Sequence, residues 1–321
     1  MGMADTVTKE YMRSNKVFAD AFNYLIYDGE QVVKPALLQE LDTTEIAIPF
    51  ALDEKENPAE DVVQKYRDVL KSAVIMQDAE ASYILLGVEN QTEIHYAMPV
   101  RNIIYDALQY GKQVSEVAKR HKSKGDRKGH NKGEYLSGFY KEDRIRPVIT
   151  LVVHFGADEW DGPLSLYDMM DLKNERLLEY VQDYRIFLID PYKLTNEDLE
   201  KFSSSLGDVL GYIKYSKDKK ALSKFLNDNQ VMIMDNDAAR VIRDVTNTPI
   251  FVPDGKGEID MCKAVRDMID ESKQEGMAAG ELNKAKKMAL KMYKKGDSIE
   301  EIAEMAEVSV DQVKEWINSA V

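Results

Sequence analysis

Y-I-L-L-G-V-E-N-Q (residues 83–91) is rich in Tyr, Ile, Leu and Val and ends in the acid Glu89 and the amide Gln91. That composition predicts a β-strand, and K-Y-R-D-V-L-K-S-A-V (65–74) predicts another, with Asp68 inside it. The polar stretch M-Q-D-A-E-A-S (76–82) reads as the turn between them. Side chains alternate along a strand, so Glu89 and Gln91 share a face. If the strands pair as a hairpin, Asp68 approaches Glu89. Two carboxylates meeting beside an apolar core are costly unless a cation or a donor pairs them. The pattern therefore points to oxygen ligation of a hard divalent ion, magnesium or manganese.

Outward from this pair, residues 9–27 have the apolar spacing of one amphipathic helix, stopped at Asp28-Gly29. L-D-T-T-E-I-A-I-P-F predicts a strand, and the acidic residues 51–61 a loop. After Gln91, the run from Ile94 to Arg120 is helical in period, with Pro99 in its first turn. P-V-I-T-L-V-V-H-F-G and Y-R-I-F-L-I-D predict strands, the first buried on both faces. From about residue 195 the pattern becomes helical, with runs at 196–216, 218–228, 236–245 and 259–294. The tail carries two short helices with Ser298 and Ser309 as N-caps, three residues before Glu301 and Gln312. The order of elements implies an α/β or α+β core with a mixed sheet. The organisation expected is a domain at 9–215, a helical extension at 216–295 and a helix-turn-helix-like tail at 296–321.

The chain has 321 residues and a net charge of -14. That charge argues against generic nucleic-acid binding, but its distribution is uneven. Residues 119–133 hold seven Lys or Arg and one acid, and they read as a basic, Gly-rich, flexible insertion. Lys119, Arg120, Lys122, Lys124, Arg127 and Lys128 could hold a phosphate backbone, or the segment could be a solvated insertion. One cysteine, Cys262, excludes an intrachain disulfide and a Cys-based zinc cluster, and fits a reducing cytoplasm. No apolar run reaches the ~18 residues of a membrane helix. Gly2 followed by Thr6 matches a permissive acylation pattern that carries no conclusion alone.

Each candidate has a bland counterpart. Asp68 has Arg67 and Lys71 as neighbours for a structural salt bridge. Arg101 and Tyr105, four residues apart on one helix face, could pair the carboxylates, hold a phosphate, or pack helix to sheet. His154 lies in an apolar strand and reads as a satisfied core histidine. The tail helices carry Asp311, Glu315 and several further acids, which suits packing or oligomerisation better than base reading. No G-x-S-x-G or P-loop pattern occurs.

The order Asp68, E-x-Q at Glu89 and Gln91, then M-P-V-R-N-I-I-Y with Arg101 and Tyr105 resembles the recombination-promoting nucleases, a group also called putative transposases. P-V-I-T-L-V-V-H-F-G resembles that family's P-V-(I/L)-P-L-V-x-Y-H-G strand. The helical tail with Glu275, Gly276 and Gly280 is similar as well, so the resemblance covers most of the chain. It implies a core of the PD-(D/E)XK nuclease superfamily, with mobile-element or recombination biology in bacteria. By resemblance, Asp68 and Glu89 would hold Mg2+ or Mn2+, and Gln91 would stand where a lysine is usual. A glutamine lacks the ammonium charge but can orient a water. Asn15 stands where the family often has an acid, with Asp20 nearby.

The expectation is a cytoplasmic, metal-dependent DNA endonuclease that is able to self-associate through its helical C-terminal region. The alternatives are a weakly active or inactive DNA-binding or regulatory protein on the same fold, and a helix-mediated assembly protein.

Overall fold

The computed structural model describes residues 2–41, 44–47, 63–66, 68–77, 80–124, 131–171, 175–229 and 231–319. The acidic stretch 51–61 lies outside them, as do Arg127 and Lys128. Two compact units are present, one formed by residues 1–248 and 252–260 and the other by 249–251 and 261–321.

The first unit is built on a five-stranded mixed sheet of order β1-β4-β5-β6-β7. Its strands are β1 (Gln39–Glu40), β4 (Val69–Gln77), β5 (Glu80–Gln91), β6 (Val148–His154) and β7 (Phe187–Ile189). β4 and β5 pair antiparallel from Val69↔Val88 to Gln77↔Glu80, whereas β5–β6 and β6–β7 are parallel. Most of the segment read as a polar turn is therefore strand. Polarity alone does not end a strand. β6 is buried along nearly its whole length, as expected for a central strand covered on both faces. A separate pair, β2 (Thr44–Ala47) with β3 (Val63–Tyr66), is antiparallel.

Helix α3 (Met98–Lys124) crosses between β5 and β6 and covers one face of the sheet. On that face, the Tyr110 hydroxyl accepts the Val148 N–H at 3.1 Å, and Met98 packs with Val152, Trp160 and Ile186. Helices α1 (Met3–Arg13) and α2 (Asn15–Tyr27) lie on the other face, where Lys71 reaches them from β4. The sequence predicts one helix over 9–27, but Ser14 breaks it with ψ 123°. The Lys71 Nζ donates to the Arg13 carbonyl at 2.5 Å and to Asn15 Oδ1 at 2.6 Å, so a buried ammonium caps the end of α1. Asp28 ends α2 in the left-handed conformation at φ 52°, followed by Gly29 at φ 95°, where the sequence places the stop. Lys119, Arg120, Lys122 and Lys124 form the last turns of α3 rather than the start of a flexible insertion. Helical spacing does continue through them, and the run of charge obscures it.

Helices α4 (Lys132–Ser137), α5 (Asn196–Glu200), α6 (Leu206–Tyr215), α7 (Lys219–Asn229) and α8 (Asn236–Thr246) also belong to this unit. A short antiparallel pair, β8 (Ile233–Asp235) and β9 (Glu258–Asp260), was not predicted, since three residues are too few to display a period. In the second unit, α9 (Met261–Lys295) is followed by α10 (Ile299–Met305) and α11 (Val310–Asn318). Ser298 and Ser309 cap α10 and α11 by accepting the N–H groups of Glu301 and Gln312, and Glu301 returns a bond to Ser298. Ala289, Ile302, Val313, Trp316 and Ile317 form a small core that holds the two short helices on α9. No helix among the described residues is long and apolar enough to cross a membrane.

Candidate functional site

Strand pairing builds the acid pair. Val69, the first residue of β4, lies opposite Val88, so Asp68, expected inside the strand, stands in the bend just before it, beside the Glu89–Asn90 end of β5. Asp68 is held there because its Oδ2 accepts the Asn90 N–H at 2.8 Å. Glu89 points to the α3 side of β5, and its side chain is fully buried. α3 begins with Pro99 in its first turn, where a missing N–H costs nothing, and so brings Arg101 over the strand end. Arg101 Nη2 lies 2.8 Å from Glu89 Oε2, and its Nε donates to the Tyr105 hydroxyl at 3.2 Å.

Burial is the largest single influence and pulls the Arg101 guanidinium toward the neutral form, but the Glu89 carboxylate, Tyr105 and Asp68 together outweigh it. The net result is a group held above its already high ordinary value, charged at any pH of interest. Both carboxylates thus act on one guanidinium. A second cation, Lys9 on α1, lies 3.7 Å from Asp68 Oδ1. Two acids and two bases therefore converge where β5 ends.

This donor set suits a hard cation. Magnesium is commonly held by one or two carboxylates, with substrate phosphates and waters completing its shell. Among the described residues no group of three or more His, Cys, Asp or Glu gathers for a metal, so two carboxylates are what this end of the sheet offers. The two basic side chains now occupy the space that a divalent ion would compete for.

Of the residues singled out in the sequence, Asp68, Glu89, Arg101 and Tyr105 come together. Gln91 shares the Glu89 face, but its carboxamide turns back and donates to the Asn90 carbonyl at 2.9 Å. Lys119 lies eighteen residues beyond Arg101 on α3, about 27 Å along the axis, so the basic turns of α3 are not part of the acid pair. Asn15 donates to the Pro35 carbonyl at 3.0 Å and accepts from Lys71, on the sheet face opposite Glu89. Asp20 is no substitute for an acid there, because it is buried and accepts the backbone and hydroxyl groups of Ser203 and Ser204. His154 behaves as a core histidine, with a backbone carbonyl 3.2 Å from each ring nitrogen.

Several polar groups were not anticipated. Asp106 accepts the Thr150 and Tyr184 hydroxyls, each at 2.6 Å. Asn102 is fully buried, and its carboxamide makes no hydrogen bond among the described residues. Lys9 carries no sequence signal, since 59 residues separate it from Asp68. Asn102, Asp106 and Gln109 did carry one, as polar residues at helical spacing on the covered face of α3.

A family model described as "Putative transposase, YhgA-like" matches residues 56–239, a span that includes Asp68, Glu89 and all of α3. No curated protein and no solved structure matches the chain significantly.

Proposed function

The chain belongs to the family of YhgA-like putative transposases, and from that membership we propose that it is a metal-dependent DNA endonuclease on a PD-(D/E)XK-like core. The observation that carries this reading is that Asp68, just before β4, and Glu89, at the end of β5, both act on Arg101. Asp68 and Glu89 would hold Mg2+ or Mn2+. The ion would supply an activated water and charge stabilisation at the phosphate. Arg101, whose charge is permanent, would be the group to pair a non-bridging phosphate oxygen if an ion were held by Glu89. Tyr105 restrains the guanidinium, because its hydroxyl holds Nε. Gln91 orients the attacking water once its carboxamide leaves the Asn90 carbonyl. The tail at 296–321 serves as a helix-turn-helix-like unit for self-association. The setting is recombination or mobile-element biology in a bacterial cytoplasm.

A weakly active or inactive DNA-binding protein is the second reading, favoured by the inward-turned, uncharged Gln91. Plasmid nicking with Mg2+ or Mn2+ separates the two readings, run beside Asp68→Asn and Glu89→Gln proteins that melt like the parent. Metal-dependent nicking lost in both variants is the expected result. Nicking retained in either variant refutes the assignment of that residue. Intact DNA binding without nicking by the parent selects the second reading.

A further inference from the structure

A cavity of about 470 Å³ opens on the α3 side of the sheet, away from the acid pair. Its floor is apolar, made by the buried Leu70, Leu85 and Val117. Four cationic side chains stand around it, Lys112 and Arg120 from α3 with Arg144 and Arg146 from the segment before β6, against one carboxylate, Glu116. In a chain of net charge -14, such a collection is a local inversion of sign.

The segment is fixed in place. Gln113 accepts the Arg146 N–H at 2.7 Å and donates to the Arg146 carbonyl at 3.2 Å, pinning that backbone to α3. The Arg144 Nη1 donates to the carbonyls of Lys141 and Asp143 at 2.6 and 2.7 Å, which orients its guanidinium. Asp143 offsets part of the Arg120 charge at 3.7 Å, while Lys112 forms no ion pair among the described residues. Leu70 lies two residues from Asp68 and Leu85 four residues from Glu89, on the same face of the sheet, so the cavity floor runs from about 7 to about 13 Å along the strands from the acid pair.

We propose that this cavity is a phosphate subsite that grips the nucleic-acid backbone to one side of the bond cut at Asp68 and Glu89. The proposal rests on the endonuclease reading for its geometry, but not for its binding. The cations sit on the rim rather than the floor, as a backbone passing across the opening requires.

The test is fluorescence anisotropy of a labelled DNA duplex in EDTA, across salt concentrations, on the full-length protein. The Lys112→Gln, Arg144→Gln, Arg146→Gln protein is compared with the parent and with Arg144→Lys, Arg146→Lys. Three lost phosphate contacts lower the slope of log K against log salt by about 2.7, which near 0.1 M is a loss of roughly five-hundredfold. The lysine variant keeps the slope, whereas a purely structural role for the arginines fails in both variants alike. An unchanged slope in the triple variant overturns the proposal, as does absence of DNA binding by the parent at low salt. If the triple variant melts early, the slopes of the lysine variant and of Lys112→Gln alone decide. Binding that depends on the cavity without any metal-dependent nicking sinks the endonuclease reading and keeps the subsite. Nicking with an unmoved slope does the reverse.

Discussion

Replacing Arg101 with Met removes the charge over Glu89 and keeps much of the aliphatic stem. Glu89 is then a fully buried carboxylate that has lost its 2.8 Å cationic partner. Breaking a buried pair costs ~3–5 kcal/mol, and the quarter exposure of Arg101 favours the lower end. The carboxyl can escape by taking a proton. From the ordinary glutamate value of ~4.3, that costs about 3.7 kcal/mol at pH 7 and about 1 kcal/mol at pH 5. A loss of about 3 kcal/mol at pH 7 lowers the melting temperature by roughly 6–12 °C, at ~2–4 °C per kcal/mol. The sign follows from linkage. In the variant the carboxyl is raised in the folded state, so stability is retained at low pH and lost as pH rises. The fall should therefore shrink to roughly 2–4 °C at pH 5. Adding Glu89→Gln removes the stranded charge and recovers most of the loss. Thermal melts followed by circular dichroism at pH 5, 6 and 7 measure all three proteins. A loss under ~2 °C at pH 7, or one equal at pH 5 and pH 7, would refute the electrostatic account in favour of packing.

Burial pushes the Lys71 ammonium down to about 8 from 10.5, so between those values the unfolded chain binds more protons and stability rises with pH. Relative to Lys71→Met, the parent should gain on the order of 2 kcal/mol in urea unfolding between pH 7.5 and 9.5, and a flat difference would contradict this. Asp20→Ala strands the N–H groups of Ser203 and Ser204 and should cost about 2–4 kcal/mol, read from the denaturation midpoint. Trp316→Ala empties the centre of the small core on α9, and α10 and α11 should lose protection from hydrogen exchange while the sheet keeps its own.

The sheet side of the site was legible because strand signals are local. Asp68 and Glu89 sit beside apolar runs whose period fixes their faces, and Pro99 marks the start of α3. What escaped the sequence is long-range. The break at Ser14 depends on Lys71 reaching Arg13 across 58 residues, and the partner of Asp20 lies 183 residues away. The basic run 119–124 shows the opposite failure, a local signal misread. Charge density suggested looseness, while the helix continued beneath it because Lys and Arg are good helix formers. Of the cavity cations, Arg120 stands in the basic run that the sequence singles out, whereas Lys112, Arg144 and Arg146 were missed for a topological reason. Lys112 and Arg120 come from one element and Arg144 and Arg146 from another, and α3 must be folded onto the sheet before they share a rim.

The buried charges on the two sides of the central hairpin also proofread its assembly. Lys71 faces α1 and α2, and Glu89 faces α3, each beside the partner that offsets it. A slip of one residue between β4 and the rest of the sheet would carry Lys71 to the side of Arg101 and strand it without its carbonyl and amide. The same slip in β5 would turn Glu89 to the face of α1 and α2, away from Arg101. Each misalignment buries a charge against the wrong neighbour and so costs several kcal/mol. Groups that are expensive in the finished fold thus make every near miss more expensive still.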